Sequence, residues 1–138
     1  MFFVFMSSIR LDKFVKKRRE IFQKYFNAIS SIEGINFMDE GDYCKSNRWL
    51  TTLTIDEKKT GIDRDKIIST LEKENIESRP VWKPMHLQPL YNEYEYVSND
   101  DRDVSAELFE NGLCLPSGSN LSEKDQNRII DIILSLLN

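Results

Sequence analysis

The side chains able to do chemistry converge on one stretch, Ile76-Glu77-Ser78-Arg79-Pro80-Val81-Trp82-Lys83-Pro84-Met85-His86-Leu87-Gln88-Pro89-Leu90-Tyr91. It holds the single histidine, one of the 2 tryptophans and three of the 4 prolines of the chain. The guanidinium of Arg79 is a fork of donors matched to a carboxylate or a phosphate. Lys83 adds a mobile cation, His86 donates or accepts near neutral pH, and Trp82 and Tyr91 offer faces on which a ring can stack. Together these suit an anionic ligand such as a nucleotide diphosphate or a dicarboxylate, without supplying a reaction by themselves. The prolines exclude a helix, because each removes an amide donor and fixes φ. Two readings follow. One is a rigid basic-aromatic surface for an anionic or planar ligand. The other is an edge strand followed by a proline-stiffened loop whose aromatics fill a small core. Composition by itself favours the second.

No complete catalytic constellation accompanies this stretch. His86 has no serine or cysteine nucleophile at a motif-defining spacing. Cys44 and Cys114 lie in no Cys-x-x-Cys or helix-N-terminal setting and read as a reduced pair. One histidine and two isolated cysteines do not make a structural zinc site. Neither GxGxxG nor GxxxxGK occurs. Ser117-Gly118-Ser119 reads as a plain turn in preference to an amide cradle for an anion. Asp100, Asp101 and Asp103 fit metal chelation or the electrostatics of a helix N-terminus equally well. Trp49, at the head of a strand, reads as core.

The elements that must position the stretch belong to one domain, since 138 residues suffice for one modest core. Apolar content of 40% with 30% charged residues describes an ordinary folded protein. A net charge of −4 argues against a nucleic-acid footprint. No stretch reaches the length of a membrane span. Met1–Met6 lacks the basic flank and the cleavage site of a signal peptide, so a cytoplasmic location is expected.

The spacing of Leu11, Phe14, Val15, Phe22, Tyr25, Phe26 and Ile29 predicts a long helix capped by Ser7 or Ser8 and running to about Ser30. Lys13–Arg19 reads as its solvated face in preference to an anion-binding patch. Strands are expected at Ile35–Met38, Trp49–Ile55, Ile76–Arg79 and Leu113–Leu115, with loops at 39–47 and 117–120 and a charged turn at 56–61. Asp63 caps a second helix that runs through about Glu74, with Asn75 in the left-handed position that ends it. Leu87–Asn92 reads as one helical turn. A third helix fits Asp101–Asn111, with Val104, Leu108 and Phe109 inward. The last helix, opened by a capping-box-like pair of Ser122 and Asp125, is apolar on more than one face, so it is well buried or covered from outside the chain. This order gives an α/β chain of the α+β type: a small, mostly antiparallel sheet with helices packed on one face and a long N-terminal helix.

The central stretch through Pro89 resembles the C-terminal region of the DegT/DnrJ/EryC1/StrS sugar aminotransferases. More narrowly, it resembles the branch that aminates UDP-4-keto-6-deoxy-N-acetylhexosamines. Three other stretches agree in order and spacing. Leu11-Asp12-Lys13-Phe14-Val15 with Arg18-Arg19-Glu20-Ile21-Phe22 is similar to the family's interdomain helix. Ser46-Asn47-Arg48-Trp49-Leu50-Thr51 is similar to the strand that follows, and Leu108-Phe109-Glu110-Asn111-Gly112-Leu113-Cys114-Leu115-Pro116-Ser117-Gly118-Ser119 to the last helix, strand and turn. The resemblance covers residues 9–138, the C-terminal small domain. Residues 1–8 depart from it and read as an atypical apolar start, the mark of a truncated reading frame, a cut chain or a split protein.

The resemblance implies an enzyme that moves an amino group, usually from glutamate, to a keto-sugar nucleotide for surface polysaccharide or glycan synthesis. Pyridoxal 5′-phosphate serves the full-length parent. The Schiff-base lysine, the aspartate on the pyridine nitrogen and the stacking aromatic belong to the large domain. This chain alone is therefore expected to carry no catalytic, cofactor or metal residue and no transaminase activity. What carries over is substrate binding. His86 matches the motif histidine and faces the cleft, Lys83 and Arg79 pair with the diphosphate or the amino donor's carboxylate, and Trp82 walls the sugar-nucleotide channel. The implied partners are the nucleotide-sugar substrate, the amino donor, the missing large domain and further copies of the chain, with no nucleic acid and no membrane. The first and last helices are expected to expose apolar surface. The alternative is a non-catalytic binding or assembly module derived from the same domain.

Overall fold

The computed structural model describes residues 2–98 and 102–137. The helical spacing of the first segment becomes α1 (Phe2–Ile29). No proline or glycine interrupts it, so it starts at Phe2 and passes through Ser7 and Ser8, neither of which caps it. Only the C-terminal half of its apolar stripe is covered. Ile21, Phe22, Tyr25 and Ile29 are buried, while Leu11 and Phe14 are 59% and 46% exposed. Length explains the difference: 28 residues make about 42 Å of helix, against about 17 Å for a five-residue strand.

The strands are β1 (Ile35–Phe37), β2 (Thr51–Ile55), β3 (Arg79–Pro80) and β4 (Gly112–Leu115), in the order β1-β2-β4-β3 with every pairing antiparallel. Ile35 lies opposite Ile55, Leu53 opposite Leu113 and Thr51 opposite Leu115. This register puts all six side chains on one face. There they meet Tyr25 and Ile29 of α1, Ile67 and Leu71 of α3 (Arg64–Lys73), and Ile129 and Ile133 of α5 (Glu123–Leu137). The small antiparallel sheet and the long N-terminal helix are thus as the alternation of elements implies, with α1, α3 and α5 packed on one face.

Local chemistry sets the connections. Asp56 accepts from the Lys58 amide and caps a single helical turn, α2 (Glu57–Thr60), where a charged turn is expected. Asp63 caps α3 by accepting from the Lys66 amide at 2.7 Å. Asn75 takes the left-handed position at φ 57°, and the Ile76 amide returns to the Leu71 carbonyl at 2.9 Å. Ser122 Oγ accepts from the Asp125 amide at 3.1 Å and donates to its carboxylate at 2.6 Å, so the reciprocal bond of this box reaches the hydroxyl and not the backbone.

Several expectations change. β3 is two residues long and begins at Arg79, because Ile76 is turned into the core and β4 offers partners only for Arg79 and Pro80. The third helix, α4 (Val104–Asn111), starts at Val104 with Asp103 as its cap, and Val104 and Leu108 are half exposed, not inward. Asp100 and Asp101 lie outside the described residues. α5 does not leave its apolar residues bare: Ile129, Ile130 and Ile133 are buried, and Ile132, Leu134, Leu136 and Leu137 pack partly against the core. Trp49 is 57% exposed and not core. Strand pairing begins only at Thr51, and a positive φ of 47° at Arg48 turns the chain just before it. Cys44 is exposed and Cys114 buried, and they form no disulfide. No described helix is long and apolar enough to cross a membrane.

Candidate functional site

The stretch from Arg79 leaves the sheet at its edge. Arg79 pairs with Cys114 and Pro80 with Leu113, and the Val81 amide makes the last bond, to the Gly112 carbonyl at 3.1 Å. Beyond it the prolines prevent strand and α-helix alike, and the chain folds into two 3-10 turns, Met85–Leu87 and Pro89–Tyr91, where one helical turn is expected. The Gln88 side-chain amide braces the first turn by donating to the Lys83 carbonyl at 3.4 Å.

The four residues singled out for ligand binding do not converge as one cluster of charge. Arg79 is exposed, and its fork is taken up by Glu77, with Nε at 2.7 Å from the carboxylate and Nη2 in contact with the same oxygen. Lys83 is exposed. Trp82, 65% exposed, stacks on Trp49 with ring centroids 5.9 Å apart and planes 27° apart. Tyr91 is half buried beside Tyr94.

His86 alone is held from several sides. Its Nε2 lies 2.6 Å from Asp103 Oδ2, and its ring stacks on Tyr96 at 3.9 Å. Asp103 is equally committed. Its Oδ1 accepts from the Ala106 amide at 2.9 Å, the Ser105 hydroxyl at 2.8 Å and the Tyr96 hydroxyl at 3.3 Å. The Ala106 amide above all, then the Ser105 hydroxyl and the His86 ring, hold the Asp103 carboxyl down at about 2, against a partial desolvation that pushes the other way. The imidazole is therefore fixed between a helix cap and an aromatic ring, at a place where the neighbouring side chains are flat and exposed. Such an arrangement can orient a hydrogen bond to a ligand, and it offers no nucleophile.

No motif in the sequence joins Asp103 or Tyr96 to His86. Asp103 was legible as a helix-start acid, but its distance of 17 residues from His86 corresponds to no helix or strand period. Among the described residues no group of acids, histidine and cysteines could hold a metal ion. Ser117 is buried and structural: it accepts from the Thr51 amide at 2.8 Å and donates to the Leu115 carbonyl at 2.8 Å. Two hollows of about 860 and 430 Å³ lie along α5 and beside the Pro116–Leu121 turn, away from His86.

With this geometry in view, comparison with known proteins is specific. The family model of the DegT/DnrJ/EryC1/StrS aminotransferases matches residues 7–134. EpsN of Bacillus subtilis, assigned to the pyridoxal phosphate-dependent aminotransferases, is 47% identical over 127 residues, which are 91% of this chain and 32% of EpsN. The GDP-perosamine synthase of Caulobacter vibrioides is 35% identical over 82 residues, 59% of this chain and 21% of that enzyme. The crystal structure of a DegT DnrJ EryC1 StrS aminotransferase from Brucella abortus superposes with a TM-score of 0.76 at 26% identity, covering 91% of this chain and 32% of that one. The chain thus spans about a third of the length of EpsN and of the Brucella abortus enzyme.

Proposed function

The chain belongs to the DegT/DnrJ/EryC1/StrS aminotransferase family, and from that premise we propose that it is the C-terminal part of a pyridoxal-phosphate-dependent nucleotide-sugar aminotransferase. The parent reaction moves an amino group from glutamate to a nucleotide-linked 4-keto-6-deoxy sugar, for surface polysaccharide or glycan synthesis in the cytoplasm. The observation that carries this reading is the family match over residues 7–134, joined to relatives of which the chain spans only a third.

Cofactor chemistry has no home in the residues present. Pyridoxal phosphate, where bound, serves as an electron sink, and it needs an enclosed lysine. Every described lysine of this chain is exposed or half buried, so these residues do not fit the group and no step of the transfer is assigned to them. Their contribution is to the substrate side. His86 faces the substrate from the small domain, Trp82 with Trp49 forms an apolar wall, and Lys83, exposed beside them, is a cation for a diphosphate or a donor carboxylate. Arg79 reaches such an anion only by exchanging Glu77 for it. By itself the chain transfers no amino group, and its uncovered apolar surface causes it to self-associate.

The test is a chimera in which residues 7–134 replace the matching third of EpsN. It is expected to bind pyridoxal phosphate and to aminate UDP-4-keto-6-deoxy-N-acetylhexosamine with glutamate, while the free chain does neither. His86→Ala is expected to reduce kcat/KM by about tenfold or more, the loss of a hydrogen bond made to bound substrate. A folded, cofactor-loaded chimera without turnover on nucleotide-linked keto sugars would favour the binding or assembly module instead.

A further inference from the structure

The arrangement around His86 has a polarity, and the polarity selects what His86 can bind. A neutral imidazole carries one proton, and the nitrogen with the proton is set by the partner of each ring atom. Nε2 faces a carboxylate oxygen at 2.6 Å, and that carboxylate is kept ionised by three further donors on its other oxygen. An ionised carboxylate only accepts. Nε2 must therefore carry the proton, and Nδ1 is left with its lone pair. The His86 side chain is 17% exposed, and Nδ1 is not among the buried polar atoms without a partner. Tyr96 stacks on the imidazole and Asp103 is held as the cap of α4, and a ring turned over would set a carbon, Cε1, against the carboxylate in place of Nε2.

From this geometry we propose that Asp103, supported by Tyr96, is the positioning residue of the site. It fixes His86 in the Nε2–H form and presents Nδ1 as an acceptor. The ligand group that meets the neutral His86 ring is then a hydrogen-bond donor, a sugar hydroxyl or an amide N–H, and not a phosphate oxygen. The diphosphate falls to Lys83. This assignment of ligand chemistry rests on the aminotransferase reading given above; the tautomer itself does not.

The chain's single histidine makes the tautomer directly measurable. Long-range proton–nitrogen correlation spectra of the uniformly labelled free chain, recorded where titration of the ring shows it neutral, are expected to show the proton on Nε2. Asp103→Asn is the decisive variant. Asparagine caps helices as well as aspartate does, so α4 is retained. The cap requires the amide oxygen to face the Ala106 N–H, which places the NH2 group against Nε2. Nε2 must then accept, and the proton is expected to move to Nδ1. Ser105→Ala removes one donor from Oδ1 without touching the Nε2 contact and is expected to leave the tautomer as it was. A parent ring with its proton on Nδ1, or a ring unchanged by Asp103→Asn, would overturn the assignment.

In the EpsN chimera the same substitution is expected to raise KM for the nucleotide sugar about tenfold, one hydrogen bond's worth, and to raise KM more than it lowers kcat. An unchanged KM would overturn the acceptor role. A chimera that is inactive with Asp103 in place sinks the aminotransferase reading, and the ring measurement on the free chain still decides whether Asp103 sets the tautomer.

Discussion

Glu40 shows how single side chains hold the loop that carries Trp49. Arg19 of α1 donates to both of its oxygens at 2.8 and 2.9 Å, the Ser46 amide donates at 2.7 Å, and Arg48 approaches at 3.4 Å. The Arg19 hydrogen bonds first, then the Ser46 amide, hold the Glu40 carboxyl at about 2, below its ordinary 4.5. Because the folded value is the lower one, the unfolded chain takes up the proton first. The clamp's contribution is complete above 4.5 and is lost as pH falls from there towards 2. Glu40→Gln is expected to lower the urea midpoint at neutral pH, and its distance from the parent midpoint should shrink through that window. A gap that holds constant down to the acid end would mean that the ion pairs contribute nothing. From the sequence, Lys13–Arg19 reads as a solvated helix face, and Lys13 and Lys16 are indeed exposed. Arg19 differs because its partner lies 21 residues away in a loop without periodicity. The same holds at the site: the imidazole of His86 and the helix-start acid Asp103 are both visible in the sequence, and the contact between them, 17 residues apart, is not.

The elements were legible wherever a cap or a period marks them. Asp63, Asn75 and the alternation of Thr51, Leu53 and Ile55 each have a local cause, and each element stands close to its expected place. Asn75 offers a clean check. Its left-handed φ of 57° costs a Cβ-bearing residue about 1–2 kcal/mol. Asn75→Ala is thus expected to destabilise by about 1 kcal/mol in urea titration, while Asn75→Gly should be no less stable than the parent. Equal midpoints for the alanine and glycine variants would argue against this account. What was not legible depends on close approach between elements. At Gly112 a Cβ would stand 2.2 Å from the Leu108 carbonyl oxygen and 2.6 Å from Val81 Cγ2. Its φ of −88° suits any residue, so space alone demands glycine there. This contact ties α4, whose cap holds His86, to the point where the functional stretch leaves β4. Gly112→Ala is expected to cost about 1–3 kcal/mol and to disturb the His86 resonances. Parent-like stability and spectra together would show that α4 moves aside freely.

At the scale of the whole molecule, burial is lopsided. The half of α1 beyond the sheet leaves Leu11 and Phe14, three residues apart and so on one side of the helix, 59% and 46% exposed. Trp49, Trp82 and Met85 add exposures of 57%, 65% and 57% beside the His86 stretch. Single exposed apolar residues are ordinary on a folded protein, whereas clustered ones mark a surface that something covers. In a chain that spans a third of its relatives' length, the proposed cover is the remainder of the parent. Apolar surface left in water drives association in proportion to its area. The free chain is therefore expected to sediment as a concentration-dependent oligomer and to bind an apolar dye. The core under α1 begins at Ile21, so the double variant Leu11→Glu with Phe14→Glu should leave the urea midpoint unchanged. That variant should shift sedimentation towards monomer, because two carboxylates buried in a self-contact are unpaired there. Monomeric sedimentation of the parent chain without dye binding would show the half-helix to be adequately solvated. Oligomers that persist in the double variant would move the contact from α1 to the tryptophan pair, where Trp82→Ala should then disperse them.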